Sequence, residues 1–167
     1  MLSHYMQLFV YMLEQDDPKR CTAAKLNKFG IVKRVRNVPR ASILLDPFST
    51  SMLSKNDKPV ITALDCSWND PSIFKHKLKG IRKRLPLLFA GNPINYAKPN
   101  KLSTAEALAA ACIIMGYKEK GEEIMNKFKW GHTFLELNEE LFYYYTKAED
   151  EEDMRKIEEE YITSLYG

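Results

Sequence analysis

The chain has 167 residues, 45% of them apolar and 28% charged, with a formal net charge of +3. That length fits one compact domain, or two small lobes sharing a core, and needs no disulfides for stability. The cysteines Cys21, Cys66 and Cys112 have neither CxxC nor Cys/His cluster spacing, so neither a disulfide framework nor a metal site is indicated and a reducing, cytoplasmic setting is expected.

The N-terminal stretch carries Tyr5, Met6, Leu8, Phe9 and Val10, interrupted by His4 and Gln7 with no basic leader. It reads as a strand over Met6–Leu13 and not as a signal peptide. Further strands are predicted at about Ile31–Val35, Ser42–Asp46, Pro59–Leu64 and Leu87–Ala90, where β-prone residues are bounded by turn formers. Between them, Cys21–Phe29 reads as a helix closed by Gly30. Pro71–Lys83 reads as another, with Ile73, Phe74, Leu78 and Ile81 on one face. Beyond Gly91 the pattern turns helical. Ser103-Thr104-Ala105-Glu106 has the form of a capping box opening a helix that ends at Gly116. Helices at about Glu119–Lys127, Thr133–Thr146 and Glu149–Leu165 follow. The longest apolar run, Ala105–Met115, contains Glu106 and is far shorter than the roughly 20 residues of a membrane span, so no membrane association is expected.

Charge is segregated along the chain. Between Lys75 and Lys101 there are eight cations and no carboxylate, and a second basic group runs from Lys19 to Arg40. Acids gather near the end, among them Glu151, Glu152, Glu158, Glu159 and Glu160. This suits a basic face toward a polyanion such as RNA, although solvated helix faces would look the same.

No GxGxxG, Walker A, HExxH or GxSxG pattern is present, which argues against a Rossmann nucleotide site, a P-loop, a zincin and an α/β-hydrolase. His4, His76 and His132 match no catalytic pattern. What remains are two polar exits from apolar strands, Leu64-Asp65-Cys66-Ser67-Trp68 and Ala90-Gly91-Asn92-Pro93-Ile94-Asn95-Tyr96. Side by side at the carboxyl end of a sheet they would form a pocket. Taken singly, Asp65 reads more readily as a turn or cap residue than as a catalyst, and Trp68 as a core residue beside a strand end.

These exits belong to an ordered set of motifs: Asp17-Pro18-Lys19-Arg20-Cys21-Thr22, Asp65-Cys66-Ser67-Trp68, Asn92-Pro93-Ile94-Asn95-Tyr96, Leu102-Ser103-Thr104-Ala105-Glu106-Ala107 and Lys127-Phe128-Lys129-Trp130-Gly131. In order and spacing the set resembles the ribosome-biogenesis 18S/16S rRNA aminocarboxypropyltransferases, from Met6 to about Tyr145. The resemblance implies an α/β fold in which a SPOUT-like knotted N-terminal α/β lobe, residues 1–91, precedes an all-helical C-terminal lobe, residues 92–167. It also implies S-adenosyl-L-methionine as aminocarboxypropyl donor, small-subunit rRNA or a pre-ribosomal particle as partner, and a monomer. The absence of the long acidic tails common in eukaryotic relatives points to an archaeal source.

Residue by residue, the resemblance gives Trp68 the role of walling off the donor's methyl group, and Asp65 that of assisting deprotonation of the acceptor base. Thr22 and Thr104, with Ser103, would hold the carboxylate of the transferred arm. Backbone groups of Leu64, Leu85 and Asn100 would hold ribose and adenine, under apolar cover from Leu44, Leu45, Pro47, Leu102 and Ala107. Each threonine could instead be only a helix cap. Lys19, Arg20, Lys25, Lys28, Arg82, Lys83 and Arg84 are the candidate RNA face. The stretch Lys127–His132 could stack on RNA or form a helix corner. Ala23 and Asn69 depart from the family pattern, which usually has Gly and Ala there, and Leu53–Lys58 matches it only in part. Rival readings are an RNA-binding assembly factor without activity and a SPOUT-type methyltransferase.

Overall fold

Parallel strands buried on both faces read as nearly continuous apolar runs, and Val60–Asp65 is such a run, with Ile61 through Asp65 buried. The computed structural model describes residues 5–12, 22–65 and 78–166. Its sheet consists of β1 (Gln7–Met12), β2 (Lys33–Val35), β3 (Ile43–Leu45), β4 (Val60–Asp65) and β5 (Ile81–Lys83), in the order β2-β1-β4-β3-β5. All pairings are parallel. The longest, β1 with β4, runs in register from Gln7 against Val60 to Met12 against Asp65. The carboxyl ends of the strands therefore share one edge of the sheet, the usual ligand-binding edge of open α/β folds.

Six helices accompany the sheet among the described residues: α1 (Thr22–Lys28), α2 (Thr104–Ile114), α3 (Lys118–Met125), α4 (Gly131–Leu137), α5 (Glu139–Tyr145) and α6 (Glu151–Tyr166). The capping box at Ser103 forms as its sequence requires: Glu106 N donates to Ser103 Oγ at 3.2 Å and Ser103 N donates to Glu106 Oε1 at 2.9 Å. The helix stops at Gly116, whose φ of 94° is open to glycine and strained for other residues. Tyr117 N then donates to Cys112 O at 2.8 Å, closing a Schellman turn.

These observations correct the expected architecture. The fold is an α/β arrangement of one five-stranded parallel sheet with six helices; the SPOUT-like knot is not shown by the described residues, and the all-helical C-terminal lobe is not confirmed. Every residue of α2 is buried, because it packs against β4, α1 and α3 together. One hydrophobic cluster joins Val10 and Ile61 of the sheet to Leu108, Ile124 and Phe134 of the helices. Periodicity reports which residues are buried but not what they are buried against, so the helices read as a lobe of their own.

Three local expectations also change. The predicted helix over Pro71–Lys83 falls at 71–77 outside the described residues, and its predicted end is β5, which pairs with β3 after Gly80 (φ 102°). The predicted helix Thr133–Thr146 divides at Asn138 into α4 and α5. Among the described residues the predicted strand Leu87–Ala90 joins no ladder and has an isolated bridge between Phe89 and Pro99. No described helix is long and apolar enough to cross a membrane.

Carboxylates of α6 fasten it to the sheet side. Glu151 Oε1 accepts from Met52 N at 3.1 Å and pairs with Lys83 at 3.5 Å, while Arg155 pairs with Glu151 at 2.8 Å and donates to Thr50 O. Burial alone would raise the Glu151 pKa, but bonds from Arg155 and the Met52 amide, with the charges of Arg155 and Lys83, hold it below the usual value. A depressed carboxyl stabilises the fold above its unfolded-state pKa, and the contribution is lost as pH falls through the folded value. Glu151→Gln should therefore lower stability in urea titrations at pH 7 and change it little at pH 3. Equal losses at both pH values would contradict this electrostatic role.

Candidate functional site

The segment from Leu87 to Gly91 is strand-like in its bonding although it lies outside the sheet. On one edge, three alternate amides donate to helix-borne side chains: Leu87 N to Glu158 Oε2 at 2.7 Å, Phe89 N to Asn138 Oδ1 at 2.7 Å, and Gly91 N to Glu106 Oε2 at 2.6 Å. On the same edge Tyr145 Oη donates to Leu87 O at 2.9 Å and Asn138 Nδ2 to Phe89 O at 2.8 Å. The other edge pairs with the returning chain, as Ala90 N donates to Lys98 O at 3.0 Å and Asn100 N to Leu88 O at 2.9 Å. Burial raises the Tyr145 pKa, so its hydroxyl remains protonated and able to donate. Gly91 is needed at the turn because a Cβ there would lie 2.4 Å from Phe134 N.

Beside this segment lies a cleft of about 370 Å³, lined by Leu45, Asp46 and Pro47 after β3, Arg84–Leu87 after β5, Asn100, Leu102 and Ala107, and Glu158 and Ile162 of α6. It brings together Leu45, Pro47, Leu85, Asn100, Leu102 and Ala107, six of the positions that the sequence assigns to a cofactor. The volume lies within the roughly 300–1,000 Å³ of small-molecule sites. Leucine, proline and alanine side chains dominate the wall, an apolar surface that fits a flat heteroaromatic group.

Thr22, Ser103 and Thr104 meet at the start of α2. Ala105 N donates to Thr22 Oγ1 at 3.0 Å, so the threonine opening α1 also caps α2. With Ala105 N and Glu106 N engaged by Thr22 Oγ1 and Ser103 Oγ, the Thr104 amide and the Thr22 hydroxyl proton are the groups at this helix start suited to an anionic group. Leu44, Leu64 and Asp65 lie on β3 and β4 at the same sheet edge but not in the cleft lining; Leu44 and Leu64 pack with Val38. Asp65 is buried at the last position of β4. Trp68 lies outside the described residues, as do Lys19 and Arg20.

The remaining cationic candidates separate into two groups. Lys25 and Lys28 are exposed on α1, with the Lys25 ammonium 4.9 Å from the centre of the Phe128 ring. Arg82, Lys83 and Arg84 are instead engaged by acids. Arg82 pairs with Asp46 at 2.9 Å, Lys83 with Asp57 at 3.6 Å, and Arg84 forms two bonds to Glu158 at 2.8 and 3.0 Å. Hydrogen bonding to Glu158 raises the Arg84 pKa, against the opposing effect of burial. Asp46, Glu158 and Ile162 are absent from the sequence-based set of cofactor residues. Glu158 is one of three consecutive glutamates, and nothing local marks it as the one facing the cleft. The Lys127–His132 stretch forms a corner in which Phe128 and Trp130 pack with ring centres 4.9 Å apart. A second cleft, about 470 Å³ and lined by His132, Glu136, Phe142 and Tyr143 among others, contains none of the candidate cofactor residues.

Residues 43–162 match the family described as "Ribosome biogenesis protein, C-terminal". Residues 6–37 match "Possible Fer4-like domain in RNase L inhibitor, RLI". Cys21 is the only cysteine in that span, whereas an iron–sulfur cluster takes four thiolates, so the span does not supply a cluster's ligands. The chain is 42% identical over 170 aligned positions to the 16S rRNA aminocarboxypropyltransferase of Methanosarcina mazei, covering 96% of this chain and 97% of that protein. It is 44% identical to that of Saccharolobus islandicus, covering 96% and 98%. The solved structure of the SAM-dependent rRNA:acp-transferase Tsr3 from Vulcanisaeta distributa aligns with a TM-score of 0.83 and 37% identity, covering 90% of this chain and 88% of that one.

Glu106 is fully buried and accepts from Gly91 N, Asn92 N, Asn92 Nδ2 and Ser103 N. Glu106→Ala strands these donors, at roughly 1–3 kcal/mol for each that finds no other partner. The expected result is a loss of about 3 kcal/mol or more in chemical denaturation. A loss under 1 kcal/mol would contradict the role given to this carboxylate.

Proposed function

Because the chain belongs to the ribosome-biogenesis 16S rRNA aminocarboxypropyltransferase family, we infer that it transfers the 3-amino-3-carboxypropyl group of S-adenosylmethionine to 16S rRNA. The carrying observation is the convergence of Leu45, Pro47, Leu85, Asn100, Leu102 and Ala107 on one cleft at the carboxyl ends of the strands. The acceptor in this reading is a ring nitrogen of a pseudouridine, methylated or not. Residues 1–91 bring the strand-end contacts, residues 92–167 complete the cleft, and the enzyme acts as a cytoplasmic monomer on its rRNA.

When bound, S-adenosylmethionine supplies an electrophilic carbon on the arm and methylthioadenosine as leaving group. Leu45, Pro47, Leu102 and Ala107 would enclose the adenine, and backbone groups of Leu85 and Asn100 would hold adenine and ribose, with Leu64 contributing from the neighbouring strand end outside the cleft lining. Thr22 accepts from Ala105 N, which leaves its hydroxyl proton for the carboxylate of the arm; the amide of Thr104, in the first turn of α2, would be a second donor. In the transfer, the acceptor nitrogen bonds to the arm's terminal carbon, the carbon–sulfur bond breaks, and the nitrogen loses its proton. Asp65 orients the acceptor base and assists that proton's departure. An ordinary Asp, with a pKa near 3.9, is a weak base for an imide, so orientation is the larger part of its role.

Three carbons flank the sulfonium, and the methyl is the least hindered. A thousandfold preference for the longer arm takes about 4 kcal/mol, within the roughly 7–11 kcal/mol available from positioning. The family resemblance assigns to Trp68 the screening of the methyl. Lys25 and Lys28, with Lys19 and Arg20 by sequence, grip RNA phosphates.

The test is incubation with S-adenosylmethionine and 16S rRNA from cells lacking the enzyme, followed by mass analysis of nucleosides and small products. Aminocarboxypropyl addition with methylthioadenosine release is expected. Methyl addition with S-adenosylhomocysteine would overturn the reading. Asp65→Asn should slow transfer about 100-fold while leaving donor affinity unchanged, and full transfer would remove its role.

A further inference from the structure

We propose that residues Gly91–Lys101 form an RNA-contacting finger, in which Tyr96 stacks on an unpaired base of the rRNA while Lys98 and Lys101 meet its phosphates. The proposal rests on the rRNA-modifying reading above and extends it to residues outside the cofactor cleft. The base of the finger is held from inside the protein. Glu106 accepts from Gly91 and Asn92, Asn92 Oδ1 accepts from Asn95 N at 3.1 Å, and Ala97 N donates to Ala90 O at 2.7 Å. These bonds fix the two ends and the turn, while the tip faces solvent with Ile94 75% and Tyr96 58% exposed. Single exposed apolar side chains are ordinary. Here two stand two positions apart on a segment whose base, Gly91 and Asn92, is tied to the buried Glu106 carboxylate, so their exposure is imposed by the fold.

The chemistry of the tip selects a nucleic acid. Residues 92–101 contain Lys98 and Lys101 and no acid. Both lysines are exposed and neither enters an ion pair among the described residues, whereas Arg82, Lys83 and Arg84 are engaged by Asp46, Asp57, Glu151 and Glu158. An aromatic ring beside unneutralised cations is the usual means of holding a single strand, because every base has a face to stack and every linkage a charge. Position supports the same partner. The arm returning from the tip carries Asn100 and Leu102 into the cleft lining, so a strand delivering a base to the cleft passes the finger.

The experiment measures binding of 16S rRNA from cells lacking the enzyme across a series of salt concentrations, with calorimetric titration of S-adenosylmethionine and thermal unfolding as parallel readouts. Tyr96→Ala should weaken RNA binding about tenfold, and Tyr96→Phe should retain wild-type affinity. Lys98→Ala combined with Lys101→Ala should reduce the slope of log affinity against log salt by about 1.4. None of these variants should shift donor affinity or the unfolding midpoint. Wild-type RNA affinity and salt slope in all of them would overturn the finger and leave the transferase reading intact. A wild-type protein that neither binds nor modifies the rRNA would overturn both.

Discussion

The cleft depends on a strand-like segment that has no strand beside it on one edge. Buried amides must find partners, and the sheet ends at β5 without reaching Leu87–Gly91. Glu158, Asn138 and Glu106, from α6, the α4–α5 junction and α2, instead accept the alternate amides of Leu87, Phe89 and Gly91. Asn138 both accepts from and donates to Phe89, reproducing the paired bonds of an antiparallel partner. Three helices far apart in sequence are thereby indexed to one stretch of backbone. The cleft wall and the finger are continuations of that stretch.

This arrangement joins charges that the sequence keeps apart. Arg84 follows β5 and Glu158 lies near the end of the chain, yet they form a two-bond pair that also receives the Leu87 amide. Lys83 reaches Glu151 in the same way, while Arg155 holds that carboxylate from one turn further along α6. Bases from the middle of the chain and acids from its last helix thus close the fold beside the cleft. Lys25 and Lys28 on α1 and Lys98 and Lys101 on the finger are among the exposed cations that enter no ion pair among the described residues.

Much of this was legible in the residues. The strands Gln7–Met12 and Val60–Asp65, the helix at Thr22 and the capping box at Ser103 follow from apolar runs and turn chemistry. Six cofactor positions inferred from the family motifs meet in one cleft. Leu87–Ala90 has the composition of a strand, yet on one edge its partners are side chains distant in the chain, which no local pattern reports. Glu158 escaped notice for a related reason: three adjacent glutamates look alike until one of them is buried against Arg84. The helical half read as separate because the burial of α2 on all sides has no signature of what surrounds it.

The most direct measurement of this account is hydrogen exchange at the amides of Leu87, Phe89 and Gly91 in the free protein. If helix-borne side chains replace a neighbouring strand, these three amides exchange as slowly as those of β1 and β4. Exchange at the rate of exposed loop amides would show that the segment is not held in this way, and the basis proposed for the cleft and the finger would fail.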